Sequence, residues 1–166
     1  CTDPQVMRIV VENLRAAGIL SVHSAGNSGS SCSSVDTPSA IYDASFTVGN
    51  TTITDSLNSG SSRGPVTADG SNRRKPDISA PGTSVRSSVP GAGYSTFTGT
   101  SMSGPHVAAL VALLIDADEA LRGNVDALEE LIRESAFTGV TASGTCGGIA
   151  ATTIPNNHFG WGRIDA

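Results

Sequence analysis

The fold is decided by the stretch Gly99–His106, with the sequence GTSMSGPH, together with the apolar segment Val107–Ile115 that follows it. Apolar residues occupy every face of that segment, which is typical of a buried helix. Pro105 lies near the first turn, where a missing backbone N–H costs least. A serine at this helix start lies beside unpaired N–H groups and the positive end of the helix dipole. We therefore predict a buried central helix that begins near Ser101, which is either a cap or a nucleophile.

The first 30 residues have the helix–strand–loop order of an α/β protein. Asp3 and Pro4 predict a helix start and Gly18 its end. The apolar stripe of this helix is formed by Val6, Ile9, Val10 and Leu14. Residues 19–22 predict a short buried strand that leads into the glycine-rich loop 24–29. Loops at the carboxyl ends of parallel strands carry ligand sites, so we expect this loop to be functional.

The rest of the chain predicts short strands, turns and one surface helix. Strands are expected at 46–48, 78–79, 84–86 and 94–97, and turns at 58–60, 68–70 and 90–91. Residues 125–136 predict a helix capped by Asn124. Its inward face is expected to carry Val125, Leu128, Leu131 and Ile132. No repeat or linker divides the chain, so we predict one domain.

The composition excludes several classes of protein. The 166 residues include 10 basic and 15 acidic side chains, a net charge of −5, and only 15% of residues are charged. This balance argues against a coiled coil, a disordered polyelectrolyte and a nucleic-acid-binding protein. The apolar run 107–115 is shorter than the roughly 20 residues of a membrane span. The chain opens on a helix signal, so no targeting peptide is expected.

Residues 99–106 resemble the nucleophile motif of the subtilisin-like serine proteases, the subtilases, and the bacillopeptidase-like group in particular. The resemblance covers residues 5–115 and 155–166. Four further stretches agree in order: SAGN at 24–27, SSRGP at 61–65, KPDISAPG at 75–82 and the carboxyl-terminal run 157–166. The resemblance to the subtilases implies an α/β fold. This fold would be part of a three-layer sandwich with a mainly parallel sheet and a buried central helix that begins near Ser101.

The resemblance also implies a site. Ser101 would be the nucleophile that forms an acyl-enzyme, and the Asn27 side chain and the Ser101 N–H would form the oxyanion hole. Taken alone, Asn27 beside glycine is more typical of a turn residue. Ser24, Ala25 and Gly26 would form one wall of the specificity pocket. Asp36 would lie in the pocket floor and favour basic side chains, unless it only caps the turn before Pro38.

The sequence departs from the family pattern in one important way. Subtilases carry their catalytic residues in the order Asp, His, Ser, yet His23, His106 and His158 do not lie in the expected histidine motif. In the family, the histidine equivalent to His106 is structural. We therefore expect residues 1–166 to be the carboxyl-terminal portion of a catalytic domain, inactive when isolated and prone to self-association. The alternatives are a non-catalytic, subtilase-like peptide-binding or scaffold module and an unrelated small Ser/Gly-rich domain.

The remaining expectations concern metals, partners and cysteines. Scattered carboxylates lack the spacing of a calcium loop, so no cofactor or metal is predicted, although the full subtilase domain can bind structural calcium. Polypeptides are the expected substrates, with no nucleic acid or membrane partner, and the protein is expected to be secreted. Of the three cysteines, Cys1 and Cys32 are predicted to form a bridge that leaves Cys146 free.

Overall fold

The computed structural model describes residues 3–165. The helices are α1 (Arg8–Ala16), α2 (Pro38–Ile41), α3 (Thr100–Ala117) and α4 (Val125–Glu134), with a 3₁₀ helix at Glu119–Leu121. The strands are β1 (Val22–Ser24), β2 (Phe46–Thr51), β3 (Ile78–Pro81), β4 (Val85–Val89), β5 (Gly93–Phe97), β6 (Thr145–Cys146) and β7 (Ile149–Ala150).

A parallel sheet in the order β1-β2-β3 separates two layers of helices. Alternate side chains of β2 point to opposite faces. Phe46 and Val48 pack with Val107 of α3 in one buried cluster. The hydroxyl of Thr47 instead donates a hydrogen bond to the carbonyl of Ala40 in α2, at 2.7 Å. The predicted α/β fold with a parallel sheet and a central helix is therefore confirmed.

The KPDISAPG segment at 75–82 links two strands of this sheet through a buried ion pair. Lys75 is only 1% exposed, and its Nζ lies 2.5 Å from an Asp77 carboxylate oxygen. The same carboxylate oxygen of Asp77 accepts a hydrogen bond from the N–H of Thr47 on β2. The charge of Lys75 is therefore neutralised where β3 begins beside β2.

Helix α3 is buried on one face only, which differs from the prediction of an entirely buried helix. Val107 and Leu110 face the sheet, whereas Leu113 is 64% exposed. The apolar run predicted that every face would be covered, but the described residues cover only the side toward the sheet. By length and composition alone α3 qualifies as a membrane span, a test that core helices of soluble proteins also pass. Its contacts with all three strands of the sheet are those of a core helix.

The stripe predicted for the first helix is also mostly exposed. Val6, Ile9 and Val10 are more than half exposed, and Val11 is the buried residue of α1. Helix α1 begins at Arg8, so the start predicted at Asp3 and Pro4 was wrong, and the described residues provide no partner for the predicted apolar face. The following strand begins at Val22, three residues later than predicted.

Helix α4 follows the prediction closely. The side chain of Asn124 accepts a hydrogen bond from the N–H of Ala127, which confirms the predicted cap. Val125, Leu128 and Ile132 are buried, but Leu131 is 41% exposed, so its inward placement was wrong. The strands predicted near 84–86 and 94–97 and the turn at 90–91 are present, and the structure pairs the two strands as the hairpin β4–β5.

The predicted cysteine pairing is wrong. Cys32 is bonded to Cys146, with the two Cα atoms 5.4 Å apart, and Cys1 lies outside the described residues. The loop after Asn27 runs along residues 60–64, since Ser33 and Ser34 donate backbone hydrogen bonds to the carbonyls of Gly64 and Arg63. That path brings Cys32 to the β6–β7 hairpin, a proximity that the spacing of the cysteines does not reveal.

Candidate active site

Asn27 and Ser101 come together where β1 ends and α3 begins. The Asn27 side-chain oxygen accepts hydrogen bonds from the backbone N–H of Thr100, at 2.9 Å, and from the Thr100 hydroxyl, at 3.2 Å. These bonds fix the amide through its oxygen, while its nitrogen has no acceptor among the described residues. The arrangement therefore leaves the Asn27 NH2 group free to donate, beside the residue that precedes Ser101.

Ser101 is the second residue of α3, and its side chain is exposed. The first N–H groups of a helix have no intrahelical acceptor. Among residues 3–165 no backbone carbonyl accepts a hydrogen bond from the Ser101 N–H. The exposed hydroxyl, this free N–H and the helix dipole thus lie together, an arrangement suited to stabilising negative charge on a bound group.

Thr100 connects the two loops and was not identified from the sequence as a site residue. It is fully buried, its hydroxyl accepts a hydrogen bond from the N–H of Gly26, and its carbonyl accepts one from the hydroxyl of Ser24. Its position directly before Ser101 in the motif could have indicated that Thr100 belongs to the site. The sequence, however, does not show that its partners lie more than 70 residues away.

Two glycines permit this close packing. Gly26 has a φ of +106°, a conformation that residues with a side chain rarely adopt. A Cβ at Gly99 would lie 3.3 Å from both the oxygen and the nitrogen of the Asn27 amide. A side chain at Gly99 would therefore press on the Asn27 amide.

The residues predicted to form the specificity pocket have different environments. Ser24 is half-buried and bonded to Thr100, Ala25 is fully buried, and Gly26 lies next to Asn27. Asp36 is exposed and lies two residues before α2. Nothing in these contacts tests whether Asp36 faces a bound side chain, so its role stays a prediction.

None of the three histidines is hydrogen-bonded to Ser101 in the described residues. His106 lies on α3, and its Nδ1 donates a hydrogen bond to the carbonyl of Met102, at 2.8 Å. His23, on β1, has its pKa lowered by burial and by the positive charge of Lys75. His158 is 1% exposed, and burial and the charge of Arg63 lower its pKa. In the described residues, therefore, no histidine is bonded to the Ser101 hydroxyl as a general base.

No group of three or more His, Cys, Asp or Glu side chains arranged to hold a metal ion occurs in residues 3–165. The prediction that the chain holds neither metal nor cofactor is not tested by this observation.

Comparison with known proteins identifies the family. The model of the subtilase family matches residues 2–162. Bacillopeptidase F of Bacillus subtilis (strain 168) is 39% identical over 96% of this chain, and Subtilisin E of the same strain is 36% identical over 69%. The aligned regions are 10% of Bacillopeptidase F and 28% of Subtilisin E.

Two solved structures share the fold. Sphericase aligns with a TM-score of 0.75 and 28% identity, over 95% of this chain and 51% of that structure. A cold-adapted subtilisin-like serine proteinase aligns with a TM-score of 0.68 and 30% identity, over 82% of this chain and 45% of that structure. The chain therefore spans about half of these structures. It belongs to the subtilase family of serine proteases.

Proposed function

We propose that the chain supplies the nucleophile and the oxyanion hole of a serine endopeptidase. The observation that carries the proposal is the Asn27 amide, which is held through its oxygen by Thr100 so that its NH2 group stays free beside Ser101. Two donors, the Asn27 NH2 and the Ser101 N–H, are then available for an oxygen that becomes negative during acyl transfer.

In the proposed reaction, the Ser101 oxygen attacks the carbonyl carbon of a peptide bond and gives up its proton to a base. The C–O bond forms as the carbonyl oxygen takes the negative charge that the two donors stabilise. The C–N bond then breaks, and the leaving amine takes the proton. Water attacks the resulting ester in the same way, which releases the acid and restores Ser101.

The base and the residue that orients it would come from outside residues 3–165. An unactivated serine hydroxyl is a weak nucleophile, so the isolated chain is expected to be nearly inactive. We therefore infer that residues 1–166 form the carboxyl-terminal portion of a catalytic domain. Polypeptides would be its substrates, and no cofactor is required by the proposed steps.

The proposed specificity pocket has Ser24–Gly26 as one wall and Asp36 in its floor. A carboxylate there would favour a basic side chain before the cleaved bond. The test is a peptide-library profile of the complete domain and of its Asp36→Gly variant. A shared preference for large apolar residues would show that Asp36 only caps a turn.

We further propose that the protein is secreted. The Cys32–Cys146 bridge supports this location, because disulfides persist in oxidising compartments.

A non-catalytic, peptide-binding or scaffold module is the second candidate. It is favoured by the lack of a hydrogen bond between Ser101 and the three described histidines. A phosphonofluoridate separates the two candidates, because it bonds covalently only to an activated serine. Mass spectrometry of the labelled complete domain is expected to find the adduct on Ser101, and an unlabelled Ser101 would favour the scaffold.

A further inference from the structure

We propose that Ser62 is a positioning residue for the oxyanion hole, acting on the Asn27 loop through bonds additional to those of Thr100. This inference rests on the proposed role of Asn27. Ser62 is fully buried, and it belongs to the SSRGP stretch at 61–65, to which the sequence analysis assigned no site residue.

Ser62 holds the chain on both sides of Asn27. Its backbone N–H donates a hydrogen bond to the carbonyl of Gly26, and its hydroxyl oxygen accepts one from the N–H of Ser28, each at 3.0 Å. Asn27 itself is exposed, whereas Ser62, which is bonded to both of its neighbours, is buried. One buried residue therefore fixes the peptide groups before and after Asn27.

The fit around the Ser62 hydroxyl is tight. A Cβ placed on Gly26 would lie 2.9 Å from the Ser62 oxygen. The Gly26 backbone thus packs directly against this side chain, which limits the movement of the loop toward Ser62. The N–H of the same residue, Gly26, donates a hydrogen bond to the Thr100 hydroxyl.

The segment that carries Ser62 is anchored to other parts of the fold. Two residues later, the N–H of Gly64 lies within hydrogen-bond distance of the carbonyls of Lys75 and Asn157, at 3.0 and 2.9 Å. Ser62 therefore connects Asn27 to a part of the molecule that is remote in sequence. Without the hydroxyl, the Ser28 N–H would lose its acceptor, and only the backbone bond to the Gly26 carbonyl would still join Ser62 to the loop.

The experiment is a double-mutant cycle in the complete catalytic domain, with peptide hydrolysis as the readout. Ser62→Ala is expected to lower kcat about 5- to 30-fold, the factor that corresponds to the loss of one buried hydrogen bond. KM should change less than about twofold, because an oxyanion-hole donor acts on the transition state. In an Asn27→Ala background, Ser62→Ala should change kcat by less than about twofold, since the two residues act as a unit.

Ser61→Ala is the matched control. Ser61 is also fully buried, and its hydroxyl also accepts one backbone hydrogen bond, from the N–H of Asn50 at 3.0 Å, but that partner lies on β2. Ser61→Ala is expected to lower the melting temperature about as much as Ser62→Ala and to leave kcat within about twofold. If Ser62→Ala does not fold, Ser62→Cys, which retains a weak acceptor, is expected to give a smaller loss of kcat.

Three outcomes decide the matter. An unchanged kcat in Ser62→Ala, or an equal loss in the presence and absence of Asn27, would overturn the positioning role while leaving the oxyanion hole intact. An Asn27→Ala variant with normal kcat would overturn the proposed function itself. A loss of kcat by Ser62→Ala that disappears in the Asn27→Ala background supports both.

Discussion

Removal of the Cys32–Cys146 bridge is expected to destabilise the complete catalytic domain strongly. The bridge joins residues 114 positions apart, and in the chain-entropy model closing a loop of that length contributes about 5 kcal/mol to the free energy of unfolding. For a complete domain about twice as long as this chain, such a loss lowers the melting temperature by roughly 5–10 °C. Cys146 is buried and Cys32 is exposed, so the appropriate variant is Cys32→Ser with Cys146→Ala.

Differential scanning calorimetry measures the effect, and reductant provides the control. Dithiothreitol should lower the melting temperature of the wild type by about as much as the substitutions do, and should leave the double variant unchanged. A loss below about 1 kcal/mol, against the about 5 kcal/mol of the loop-closure estimate, would refute the reasoning. So would a peptide map of the oxidised protein in which Cys32 is bonded to Cys1.

Three further predictions concern the site, pH and association. Thr100→Val removes the acceptor of the Gly26 N–H and is expected to lower kcat about tenfold. A normal kcat with a lower melting temperature would show that Thr100 has a structural role only. Because the pKa values of His23 and His158 are lowered in the folded state, the unfolded state binds more protons below the ordinary pKa of about 6.5. Urea denaturation should therefore find full stability above that pH and a progressive loss below it, and His158→Gln should reduce the slope. The isolated chain exposes apolar faces on α1 and α3, so light scattering at about 100 µM should detect association, and a well-folded monomer would contradict this.

Local signals in the sequence predicted much of the fold. The cap of α4 at Asn124, the strands and turn of the β4–β5 hairpin and the strand at Phe46 depend on neighbouring residues, and the structure confirms them. A hydrophobic period identifies which residues share a face, but not what covers that face. The pattern placed Ile9 and Leu113 on apolar faces, but both side chains are exposed because the described residues do not cover those faces.

Contacts between distant residues could not be predicted in this way. The hydrogen bond between Ser28 and Ser62 joins residues 34 apart, and the one between Thr100 and Asn27 joins residues 73 apart. Serine and threonine are common in this chain. Thr100 stands out only by its position next to Ser101 in the motif, and nothing local indicates that Thr100 or Ser62 holds Asn27. The predicted Cys1–Cys32 bridge was wrong for the same reason, because nothing near Cys32 in the sequence shows that it lies beside Cys146.

The most direct test of the proposed oxyanion hole is a crystal structure of the complete catalytic domain with a peptide phosphonate bonded to Ser101. The phosphonate oxygen takes the place of the oxyanion, and we expect it within about 2.7–3.1 Å of both the Asn27 side-chain nitrogen and the Ser101 backbone nitrogen. An adduct whose oxygen points into solvent, or lies beyond hydrogen-bond distance of the Asn27 amide, would contradict the role assigned to Asn27.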